Sequence, residues 1–120
     1  MRLRFSRPTI LVDGERWHVV PDTTTVEIPD GMRSRVASSG SRGQGVEAAR
    51  TSTVRFQILN NLNSRERVRN IRAQGSSTII SLTHNEETLA WEMMRLMAPH
   101  EVNDTLMLVF QGRFVSRRSS

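Results

Sequence analysis

The sequence predicts a mainly β protein: an antiparallel β-barrel or sandwich with one short flanking α-helix and a long projecting β-hairpin. Three observations carry that expectation. Thr53-Val54-Arg55-Phe56-Gln57-Ile58 alternates strictly, so Val54, Phe56 and Ile58 share one face and Thr53, Arg55 and Gln57 the other. Asp13-Gly14, a strong signal for a tight hairpin turn, separates two apolar runs. The segment Arg65–Gln74 changes to a helical period and is followed by Gly75, a natural stop.

Taken in order, residues 1–7 form a basic N-terminal arm. Thr9 to Val20 reads as the tight hairpin closed by Asp13-Gly14, and Pro21-Asp22 ends it. Thr23 to Leu59 reads as the long hairpin. Its first arm holds the alternating Thr25-Val26-Glu27-Ile28, and Val54, Phe56 and Ile58 of the second arm point to the core. Pro29-Asp30-Gly31 interrupts the first arm, because proline cannot donate to a ladder, and Arg33–Val36 resumes it. Ser38–Gly45 holds three serines and three glycines, the composition of a flexible tip.

Beyond Leu59, Asn63 or Ser64 caps the helix, with Glu66 placed to complete a capping box on Asn63. Val68 and Ile71, with Leu62 a turn earlier, give the helix a narrow apolar stripe, and arginines fill most of the rest. Ser77–Leu82 is a strand by its β-branched content, and Thr83–Asn85 a turn. Leu106 to Phe114 is a last strand that places Leu108 and Phe110 in the core. Residues 115–120 form a C-terminal tail, frayed from Ser116.

Glu87–Ala98 admits two readings. Leu89, Met93, Leu96 and Met97 make a helical stripe ahead of Pro99, which gives a possible second helix at 87–98. Leu89, Trp91 and Met93 also alternate, as a strand would, with Asn85-Glu86 as the hairpin turn.

The 120 residues fit a single domain, 1–120. Only 37% of them are hydrophobic and six are aromatic, a lean core that suggests stabilisation by neighbouring subunits. Cysteine is absent, so disulfides and thiolate metal sites are excluded. No apolar run approaches the ~18 residues of a membrane span, and the N-terminus lacks the apolar region of a signal peptide. The expected location is therefore where the chain is made.

Net charge is +5, and all 17 basic residues are arginine. Phosphate binding and a base composition that favours arginine codons are both open explanations. The acids are interspersed, and the arginines between Arg33 and Arg55 carry no interleaved aromatic for stacking on bases. His18, His84 and His100 follow no metal or catalytic spacing, and the glycine-rich tip lacks the Lys-Ser/Thr of a phosphate-cradling loop. Met93, Met94, Met97 and Met107 read as core filler. With no catalytic constellation, cofactor motif or metal set, the expectation is not an enzyme.

The order of elements resembles the phage tail tube family, whose relatives include the hemolysin-coregulated tubes of type VI secretion. The resemblance rests on Val12–Arg16, on Val54–Ile58 after the glycine-rich loop, on the helix at Asn63–Gln74, and on Trp91–Pro99 ahead of Asn103–Arg113. It covers about residues 8 to 114. It implies a structural virion protein of stacked hexameric rings, assembled in the host cytoplasm and located in the tail, that forms a conduit for DNA ejection. The implied partners are the chain itself and other tail proteins: baseplate or tip, terminator, possibly a sheath, and a tape measure in the lumen. DNA would pass through transiently.

In that picture the hairpin arms and tip form the oligomer interface. Glu27, Asp30 and Glu47 would pair across subunits with Arg33, Arg35, Arg42, Arg50 and Arg55. Those arginines are a departure, since a DNA channel of this family tends to be acidic or neutral. A tail terminator or neck component is the alternative if 87–98 is a helix. A small arginine-rich nucleic-acid-binding β-barrel is the alternative from another class.

Overall fold

The structure, a computed structural model, describes residues 1–29 and 51–119. The described strands are β1 (Arg2–Phe5), β2 (Thr9–Val12), β3 (Glu15–Trp17), β4 (Thr24–Glu27), β5 (Thr51–Leu59), β6 (Thr78–His84), β7 (Glu87–Leu96), β8 (His100–Val102) and β9 (Thr105–Ser119). One helix, α1 (Leu62–Ala73), lies between β5 and β6. The strands form one antiparallel sheet in the order β1-β4-β5-β9-β7-β6-β2-β3. β8 follows β7 along the same side of β9. The mainly β expectation is met, with one helix among the described residues.

The sheet curls into a half-barrel. β1 and β6 are five positions apart in the strand order, as are β5 and β3. In a flat sheet each such pair would be separated by about 24 Å at ~4.8 Å per strand. Instead Phe5 of β1 meets His84 of β6 with ring centroids 5.2 Å apart, and Trp17 of β3 meets Phe56 of β5 at 6.3 Å. The chain beyond β3 then rejoins β5: Val19 bridges Ile58, and the Val20 N–H donates to the Gln57 carbonyl at 2.8 Å.

Inside the curl, Val54, Phe56 and Ile58 of β5 pack with Leu106, Leu108 and Phe110 of β9. The Phe56 and Phe110 rings stack at 5.8 Å. Trp91 is wholly buried, and its indole Nε1 donates to Ser52 Oγ at 2.9 Å. The Ser52 hydroxyl in turn donates to the Glu27 carbonyl, so a buried polar chain ties β7 to β5 and β4.

The Asp13-Gly14 turn forms as read, with both residues at positive φ (53° and 82°). This is the conformation that a two-residue hairpin turn needs. α1 starts earlier than expected: the Asn61 side chain caps it by accepting from the Ser64 N–H at 2.8 Å, in place of Asn63 or Ser64. Leu62 is correspondingly 73% exposed and off the stripe, while Val68 and Ile71 are buried. Gly75, at φ 68°, ends the helix.

Four further readings are corrected. Residues 87–98 are not a second helix; Glu87–Leu96 is β7, with ladders to β6 and β9. Thr83 and His84 belong to β6, and the turn is Asn85-Glu86. The N-terminal arm is not free, because Arg2–Phe5 pairs with β4. The tail is not frayed from Ser116, because β9 stays paired with β7 through Ser119.

β7 escapes simple alternation because it bulges at Met93, which sits at φ 55°. The bulge turns Met93 outward, 57% exposed, and sets Met94 and Leu96 into the core. Met93 and Met97 are therefore not core filler, whereas Met94 is. Gly112 on β9 makes the bulge possible: a Cβ there would lie 2.5 Å from the Met93 carbonyl oxygen and from Met94 Sδ. The Ser38–Gly45 tip and the Asp30-Gly31 break lie outside the described residues.

Candidate assembly surface

The outer face of β1, β4, β5 and β9 is a four-stranded, largely polar surface. Its composition follows from register. Residues that alternate with the core set on β5 align with their counterparts on both neighbouring strands. One row reads Arg2, Glu27, Thr53, Gln111; the next reads Arg4, Thr25, Arg55, Val109. Gln57 and Met107 stand beyond them, and Thr105 Oγ1 donates to Gln57 Oε1 at 2.9 Å.

The expected interface residues divide sharply. Glu27 is on this face but engaged within the chain, 3.5 Å from Arg2 with both side chains largely exposed. Such a pair contributes at most about 1 kcal/mol. Arg55 is exposed and has no acidic partner among the described residues. Asp30, Arg33, Arg35, Arg42, Glu47 and Arg50 lie outside the described residues. The expected core residues Val54, Phe56, Ile58, Val68, Ile71, Leu108 and Phe110 are all buried.

Arg4 is a surface residue that sequence reading assigned only to a basic arm. Arg2-Leu3-Arg4-Phe5 alternates polar and apolar, which is the signal that would have found β1. Its register with Thr25 sets Arg4 two strands from Arg55 in one row. Around them the surface dips into a groove of about 470 Å³, lined also by Arg2, Thr23 and Gln57. A second hollow of about 340 Å³ lies at the Met1–Ile28 end of the same sheet. There the N-terminal ammonium donates to the Ile28 carbonyl at 2.8 Å.

Elsewhere three arginines serve the fold. Arg67 of α1 pairs with Glu15 and lies over the Trp17 ring, 5.0 Å from its centroid, pinning the helix to β3. Arg113 and Arg117 face Glu92 and Glu87 across the β7–β9 ladder at 3.6 and 2.6 Å. The hydrogen bond to Glu87 raises the Arg117 pKa above its ordinary value.

The acids are concentrated differently. The turn between β8 and β9 carries Glu101 and Asp104 with no cationic partner among the described residues. Asn60 braces it: Nδ2 donates to Glu101 Oε1 at 3.1 Å, and its backbone N–H donates to the Asp104 carbonyl at 2.9 Å.

Among the described residues no three His, Asp or Glu side chains gather as a metal site. None of the described helices is long and apolar enough to cross a membrane. Comparisons with family models, curated proteins and solved structures find no match for this chain.

Proposed function

We propose that the chain is a structural, self-assembling virion protein, a tail tube subunit that forms stacked hexameric rings and so builds a conduit for DNA. The observation that carries the reading is the outer face of β1-β4-β5-β9: a four-stranded, polar, register-aligned surface backed by a well-filled core. A face of this kind, with β1 at its edge among the described residues, suits lateral closure into a ring, which removes sticky sheet edges. The proposed mechanism is geometric: the subunit positions surfaces and turns nothing over.

The tail terminator reading drew its support from a helix at 87–98, and a strand in that place removes the support. Negative-stain microscopy of the purified protein tests the tube. Six-membered rings or short tubes are expected; a monomer at high concentration, with no rings even alongside tail partners, overturns the proposal.

A further inference from the structure

The groove and the acidic turn are complementary, and their positions within one chain keep them apart. Arg4 and Arg55 stand two strands apart, about 10 Å between Cα atoms, with Thr25 between them. That separation lets two long side chains converge on one carboxylate-bearing group from opposite sides. Arg2 beside them is matched by Glu27, and neither Arg4 nor Arg55 has an ion-pair partner among the described residues. Asp22 is the one acid among the described residues that line it.

The β8–β9 turn is the converse, two acids on a narrow, braced hairpin with Asn103 at φ 56°. Its Asp104 stands well away from Arg55 of the same chain. Arg55 aligns with Val109, and Asp104 lies five residues further along that strand direction, about 17 Å at ~3.4 Å per residue.

We infer that the Arg4–Thr25–Arg55 groove is a socket for the Glu101–Asp104 turn of a second copy of this chain. A tight turn of this size is commensurate with a groove of about 470 Å³. Socket and turn are different patches, so the contact is heterologous and propagates head to tail into a ring or a filament. The inference rests on the self-assembly reading and specifies the surfaces through which it occurs.

Charge reversal tests it. The double variants Arg4→Glu/Arg55→Glu and Glu101→Arg/Asp104→Arg each alter exposed side chains, and circular dichroism checks that each folds. In sedimentation, each alone is expected to weaken self-association at least about tenfold, and an equimolar mixture to restore it, because the acidic socket then meets the basic turn. The absence of native cysteine permits a second readout: Arg55→Cys and Asp104→Cys in separate chains should form an intermolecular disulfide when mixed.

Unchanged association in both double variants, or no restoration on mixing, overturns the socket. So does loss of polyanion binding in Arg4→Glu/Arg55→Glu with association intact, which would assign the groove to phosphates. Rings that persist in both variants sink the socket and leave the tube standing. Association that follows the charge swap but yields filaments without rings sinks the tube and leaves the socket.

Discussion

β9 has two sides, and they are built differently. Against β5 it runs nine consecutive pairs, Thr51↔Arg113 to Leu59↔Thr105, without a break. Against β7 the ladder shifts register twice, between Ala90 and Trp91 and between Glu92 and Arg95. The regular side relies on repetition: every second residue is core, and any one position resembles the next. The bulged side relies on particular contacts, such as Gly112 beneath Met93 and Trp91 bonded to Ser52. Regularity gives a surface; irregularity gives a fixed set of side-chain positions.

The largest effect should come from the regular side. Phe56→Ala removes a ring packed on both Trp17 and Phe110, and should cost about 3–5 kcal/mol in denaturant unfolding. A loss under about 2 kcal/mol there would mean that the neighbouring rings collapse into the space that Phe56 leaves.

Gly112→Val follows, because its branched side chain meets the Met93 carbonyl and Met94. A loss of about 3 kcal/mol is expected, with Met94 displaced from the core. Stability equal to that of the parent would show the bulge to be adaptable and erase the contrast. Ser52→Ala strands the buried Trp91 indole N–H and should cost about 1–3 kcal/mol, with a shift in Trp91 fluorescence.

The smallest effect should reverse sign. Thr78 pairs with Met94 at the bulge, and its buried hydroxyl has no partner among the described residues. Thr78→Val keeps the shape, removes that group and should stabilise by about 1 kcal/mol. Destabilisation would reveal a hydrogen-bond partner for the hydroxyl.

The same contrast explains what was legible in the sequence. β5 could be read residue by residue because its local period and its tertiary environment agree. The Asp13-Gly14 turn could be read because its chemistry is local. β7 could not: Leu89, Trp91, Met94 and Leu96 are its core set, which fits neither strict alternation nor a helical stripe. The phase change at Met93 is permitted by a glycine 19 residues away, and nothing near Met93 announces it. The arginine-rich stretch after Phe114 read as solvated tail for a related reason, since its ladder depends on β7. Of the assembly surface, Arg55 and Glu27 were visible by alternation. Arg4 became visible only once β1 paired with β4.

The position of β9 also bears on how the chain folds as it is made. It is the last of the described strands in sequence yet lies in the interior of the sheet order. Without β9, the remaining ladders leave β1, β4 and β5 in one group and β2, β3, β6 and β7 in another, linked by the Val19–Ile58 bridge. Each then presents an open edge, β5 in one and β7 in the other. An unpaired edge is a template for wrong pairing, so both groups are open to it until β9 is in place. The ladders of β9 close the two edges together, so the core depends on pairings distant in sequence, which form slowly.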